Sequence, residues 1–241
     1  MVSPAPDITT PTYGSIDLPD CWGIDSVLAG EYNDTQIQAL LKTRLPNGQL
    51  IKFVWGYVPL PGNRSAWDMN ADRLRALCDA GLCVMLVQHC RKGLWMPSAE
   101  QGAEDGLCAG NYAKGIGYLS DCHIAMDDES LKVGGPAMFA HATAWCGPNG
   151  VRVGGTPVIY EGFDPGLSPS QEYLIPDVNR YWGAYGPWDV SKRSVCCRQS
   201  LQISLPGIGG VDPDHAFSDK LGGVLRAMCR LDLAPARLAA A

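Results

Sequence analysis

The sequence predicts an α/β fold, a TIM-like barrel of five β/α units followed by three β strands and a C-terminal helix. Three observations lead there. From residue 22 to residue 178, short apolar runs alternate with amphipathic stretches, the order that builds a parallel sheet with helices outside it. The run Leu82-Cys83-Val84-Met85-Leu86-Val87-Gln88-His89 is almost wholly apolar, as a strand buried on both faces must be. After residue 178 strand-like segments follow one another without helices between them, and 241 residues suit one large domain of this kind.

The elements follow in chain order. Residues 1–18 are rich in Pro, Thr and Ser and read as an extended arm. The first strand covers 22–27, and a helix over 34–45 is capped by Asn33 or Asp34, whose side chains accept from the orphan N–H groups of a first turn. The second strand, 50–58, is rich in β-branched and aromatic residues. A helix over 70–80 places Leu74, Leu77 and Cys78 on one face and stops at Gly81. The third strand, 82–89, precedes a helix over 99–116 that internal glycines weaken. The fourth strand starts at Cys122, and a compact helix over 136–146 carries Pro136 in its first turn. The fifth strand, 156–162, leads to a helix over 168–178 with Ser168 as cap. Segments 180–185, 194–204 and 209–212 read as three strands, and 214–230 as the closing helix. The expected organisation is an arm (1–18), one barrel (19–232) and a flexible Ala-rich tail (233–241).

Composition narrows the function. A net charge of −6 with no Lys/Arg run longer than a pair argues against a nucleic-acid surface. The longest apolar runs are too short to span a bilayer, so no membrane insertion is expected. The first residues, Met1-Val2-Ser3-Pro4-Ala5-Pro6-Asp7, lack a basic region followed by an apolar one, so synthesis without a secretion signal is expected. Action outside the cell would then need lysis, virion delivery or non-classical export. The ten cysteines are scattered, no Cys-x-x-Cys pair occurs, and His89 beside Cys90 or His123 beside Cys122 is too little for a zinc site. They read as buried small apolar residues, and neither metal nor cofactor is expected.

The chemistry concentrates at His123-Ile124-Ala125-Met126-Asp127-Asp128-Glu129, an apolar strand that ends in acids. Strand alternation sends Asp127 and Glu129 to one side, roughly 6.6 Å apart at Cβ, and Asp128 to the other. Two carboxyls this close resist joint ionisation, which divides them into a proton donor and an anion. In a parallel barrel the strand C-termini share one mouth, where Asp25 and Asp212 also fall, in Gly23-Ile24-Asp25 and Gly210-Val211-Asp212. Taken alone, each of these two acids reads first as a cap of the turn that follows it. Trp55, Tyr57, Tyr160, Trp182 and Tyr185 are placed to line the same mouth, where rings would stack on sugar faces around a few directed polar groups.

These short motifs, in this order, resemble the glycoside hydrolase family 25 lysozymes and the related glycoside-hydrolase-like barrels of unassigned function found in actinobacteria and phages. The resemblance runs from Gly23 to Asp212 and rests on Gly23-Ile24-Asp25, Asp127-Asp128-Glu129, Val158-Ile159-Tyr160, Trp182-x-x-Tyr185, Gln199 and Val211-Asp212. It implies a barrel of five β/α units and three strands. It implies Glu129 as the general acid and Asp127 as the carboxylate that stabilises positive charge or steers an N-acetyl group, with Asp25 and Asp212 completing the acidic floor. The aromatic residues and Gln199 would bind substrate, and the substrate would be bacterial cell-wall glycan. Asp128 stands where the lysozymes usually carry an apolar residue, and Ser26-Val27 follow Asp25 where they tend to have Val-Ser. Both departures point to the divergent branch. A silent barrel that binds glycan, or serves as a structural partner within a phage particle or secretion apparatus, is the alternative.

Overall fold

The computed structural model describes residues 11–91, 93–127, 129, 134–162, 166–184 and 192–239. Its strands are β1 (Tyr13–Leu18), β2 (Cys21–Asp25), β3 (Phe53–Val58), β4 (Cys83–Gln88), β5 (His123–Asp127), β6 (Thr156–Glu161), β7 (Tyr181–Ala184), β8 (Cys197–Gln199), β9 (Ile203–Leu205), β10 (Gly209–Ala216) and β11 (Leu225–Arg230). The helices are α1 (Asp34–Lys42), α2 (Ala71–Asp79), α3 (Ala99–Gly115), α4 (Pro136–Cys146), α5 (Pro169–Tyr173) and α6 (Ala234–Ala239). Strands β2 to β8 pair in sequence order and in parallel. β10 then pairs antiparallel with both β8 and β2, which closes an eight-stranded barrel and leaves no free edge.

Local signals account for the helix starts. Asn33 accepts from the Gln36 N–H and Gln36 Oε1 accepts from the Asn33 N–H, both at 3.0 Å, a reciprocal capping box. Asn70 caps α2 and Ser168 caps α5. The glycines of α3 form its contact face. A Cβ at Gly102 would lie 2.1 Å from the His141 carbonyl oxygen and one at Gly106 2.5 Å from that of Trp145, so only hydrogen lets α3 lie this close to α4. The propensity lost inside the helix, about 1 kcal/mol per glycine, is offset by that packing.

Alternation along the strands makes two cores. Ile24, Val54, Val84, Leu86, Ile124, Met126 and Ile159 point outward into the layer beneath the helices. Phe53, Trp55, Cys83, Met85, Ala125, Val158 and Trp182 fill the barrel interior. That interior continues into Leu18, Leu225, Ala227, Cys229 and Ala234, so β1, β11 and α6 plug the end where the parallel strands begin. β11 reaches the sheet through Met228 opposite Val84. Arg237 ties α6 down by donating to the Ile51 and Leu41 carbonyls at 2.8 and 3.3 Å, and Lys52 donates to the Arg237 carbonyl.

Several expectations change. The helix expected over 214–230 is instead the second half of β10 and the strand β11, and the C-terminal helix is α6. Asp-Pro-Asp before an apolar stretch imitates a helix start, but β10 has a partner strand on each side and continues through Pro213. The segment 194–204 splits into β8, which lies between β7 and the end of β10, and β9, which pairs with the start of β10. α5 ends at Tyr173. Residues 13–18 of the expected arm form β1, which pairs with β11 along its whole length.

Candidate functional site

The strand ends opposite the plug surround a cavity of about 180 Å³ lined by Asp25, Tyr57, Val87, Asp127, Glu129, Tyr160, Trp182, Gln199 and Asp212. Each parallel strand sends its last inward-facing residues there, as alternation requires. β10 runs the other way, so Asp212 enters from near its start, directly opposite Asp25. All four acids singled out in the sequence therefore meet in one cleft, and among the described residues no Lys or Arg lines it.

Asp25 is 4% exposed and forms the floor. Gln199 Nε2 donates to its Oδ2 at 2.7 Å, Tyr57 Oη lies 3.5 Å from its Oδ1, and Tyr160 Oη donates to Gln199 Oε1 at 2.6 Å. This chain orients the Gln199 amide as a donor toward the acid. Burial, then the charges of Asp212 and Asp127, hold the Asp25 carboxyl well above the usual carboxylate range, against the two hydrogen bonds that lower it. Burial first and the Glu129 charge second push Asp127 up to about 7, and its buried Oδ1 has no hydrogen-bond partner among the described residues. Asp212 is raised for the same two reasons. The cleft thus stores protons on carboxyls that would be ionised in water near neutral pH.

Glu129 lies two residues beyond the last β5–β6 pair, Asp127 opposite Tyr160. A Cβ at Gly162 would sit 2.0 Å from Glu129 Oε1, so the carboxyl rests against the bare backbone that follows β6. The Trp95 indole donates to the Glu129 carbonyl at 3.0 Å.

The aromatic residues separate by depth. Tyr57, Tyr160 and Trp182 reach the cavity. Trp55, expected to bind substrate, does not: it is 0% exposed and stacks on Trp182 with centroids 4.5 Å apart, inside the barrel. Its side chain points inward, one layer below the mouth, where Trp182 covers it. Tyr185 and Asp128 lie outside the described residues.

Two further contributors had no role assigned from the sequence, although Asp214 stands close behind the Val211-Asp212 motif. Asp214, fully buried below the cavity, accepts from Trp182 Nε1 at 2.9 Å, and burial followed by the Asp25 charge holds its carboxyl well above the usual range. The i, i+2 spacing of Asp212 and Asp214 signals a shared face once Pro213 is allowed inside the strand. His89 packs on Tyr57 with centroids 4.7 Å apart and the ring planes tilted by 32°, and pairs with buried Asp68 at 3.0 Å, a contact between distant loops that leaves no local trace. Among the described residues, no group of three or more His, Cys, Asp or Glu side chains is arranged to hold a metal ion.

No protein-family model matches the sequence, and no curated protein matches it. Among solved structures the chain is similar to the catalytic domain of an endolysin from a bacteriophage of Listeria monocytogenes, with a TM-score of 0.52 and 10% identity over 92% of this chain and 98% of that one. At that identity the likeness is one of fold.

Proposed function

We propose that the protein is a peptidoglycan-directed, lysozyme-like glycoside hydrolase acting at the bacterial cell wall, and that its barrel is a TIM-like one of five β/α units and three strands. The observation that carries this reading is the convergence of Asp25, Asp127, Glu129 and Asp212 on one aromatic-walled cleft at the strand C-termini. The fold shared with a phage endolysin catalytic domain supports a wall substrate and a phage context.

Cleavage of a glycosidic bond needs a proton on the leaving oxygen and negative charge near the oxocarbenium-like carbon. Glu129, at the rim against Gly162, gives the proton. Asp127 faces the same space; burial and the Glu129 charge raise its carboxyl to about 7, so the pair holds one proton near neutrality, and Asp127 is the companion carboxylate when Glu129 carries that proton. Asp25 and Asp212 complete the anionic floor, with Gln199 and Tyr57 orienting Asp25. Tyr57 and Tyr160 form the wall that a sugar meets, and Trp182, buried between Trp55 and Tyr160, backs it.

The test is incubation of the purified chain with bacterial cell walls, reading new reducing ends for the wild type and Glu129→Gln. Reducing ends from the wild type alone support the reading. Wall binding without cleavage by both proteins would replace it with a silent glycan-binding barrel.

A further inference from the structure

On that reading, Glu129 must be held in place beyond the end of its strand. Backbone ladders fix a residue's position, and the β5 ladder ends two residues before Glu129. A general acid must keep its carboxyl within a fraction of an ångström of the productive position, so something other than the sheet has to hold this one. The structure supplies a bond from the side: Trp95 Nε1 donates to the Glu129 carbonyl at 3.0 Å.

Trp95 belongs to the loop between β4 and α3, and two helices hold that loop. Arg91, at its start, makes a two-pronged contact with buried Asp105 of α3 at 2.8 and 2.6 Å, the planar fork that gives such pairs their directionality. The Trp95 ring meets the His141 ring of α4 edge-on, with centroids 5.0 Å apart. His141 is itself buried and hydrogen-bonded to the Ser98 backbone, which caps α3. α3 and α4 are in turn locked together through Gly102 and Gly106.

We propose that Trp95 is the positioning residue for Glu129: its indole N–H, carried by a loop clamped to α3 and α4, anchors the backbone of the acid where the strand ladder has ended. Gly162 lies against the side chain, so Glu129 meets a donor at its carbonyl and bare backbone at its carboxyl.

Trp95→Phe keeps the ring against His141 and removes only the N–H. With cell walls as substrate it is expected to lower kcat about 10- to 100-fold and leave KM within about twofold, because sugar contacts are untouched. The alkaline limb of its pH–rate profile is expected to shift as well, whereas Leu94→Ala, an exposed neighbour on the same loop, should match the wild type. A Trp95→Phe enzyme with wild-type kcat and pH profile would overturn the proposal. Should the wild type release no reducing ends, the function fails and the anchor is judged alone: the Trp95 indole resonance, identified by its loss in Trp95→Phe, should exchange slowly with water and shift in Gly162→Ala, which displaces Glu129. Free-indole exchange or an unmoved resonance would sink it.

Discussion

The two ends of this barrel are built by the same strands and differ in what those strands are made to bury. At the plugged end the interior holds Leu18, Phe53, Cys83, Leu225, Ala227 and Cys229, and β1, β11 and α6 seal it. At the open end the same inward positions carry Asp25, Asp127, Asp212, Tyr57 and Gln199, with Asp214 one layer down. Apolar burial contributes roughly 25 cal/mol per Å², whereas buried carboxyls without full hydrogen bonding cost stability. The plug therefore stabilises a fold whose mouth is strained by its own charges, and the placement of protons near neutrality is what that strain produces.

The sharpest break between the ends is chemical. Glu129→Gln should reduce reducing-end release about 10²- to 10⁴-fold, the usual worth of a general acid, with no loss of thermal stability; a variant as active as the wild type would move the acid elsewhere. Next comes packing. Trp55→Ala, deep inside the barrel, should cost about 3–5 kcal/mol in denaturant unfolding, and a change under 1 kcal/mol would show that the interior tolerates the cavity.

Asp127→Asn should do the reverse. Its folded pKa of about 7 lies above the ordinary value of 3.8, so the folded state binds the extra proton and stability falls as pH rises through that window. The variant removes this loss and should be about 1–3 kcal/mol more stable at pH 7 while losing activity. Equal stabilities at pH 7 would mean that the carboxyl is not strained.

The effect that is smallest at neutral pH lies at the start of β5, near the plug. His123 is buried, and burial lowers it to about 3, with the Arg180 and Arg226 charges adding to the drop. Its Nδ1 accepts the Arg226 N–H at 2.6 Å. Here the folded state refuses a proton, so stability is lost as pH falls below the unfolded value near 6.5. His123→Asn keeps an acceptor and should flatten the acid side of the stability curve. Titrating Tm from pH 4 to pH 7 in both variants checks the opposite signs at the two ends.

Much of the fold was legible because it is written locally. α4 occupies 136–146 as its proline-led pattern predicts, and Asn33 and Ser168 cap the helices they precede. Asp25, Asp127, Glu129 and Asp212 were readable as strand-end acids because each follows a short apolar run. What was not legible depends on partners. Residues 214–230 carry helix-like signals, yet neighbouring strands recruit them into β10 and β11. Trp55 and Trp182 look alike in sequence and are both buried, and only their height in the barrel brings Trp182 to the base of the cavity and leaves Trp55 beneath it. Trp95 reaches Glu129 across 34 positions, beyond any local pattern.

The sequence by itself determined the alternation of strands and helices and the acids at the strand ends, because periodicity, capping and turn chemistry act over a few residues. Only the tertiary structure decided that β10 would close the barrel and bury Asp214, and that Asp127 would hold its proton toward neutrality. It likewise decided that Glu129 would be held by Trp95 and Gly162. Desolvation, charge repulsion and close packing depend on distances between segments far apart in the chain, and those distances exist only once the barrel has closed.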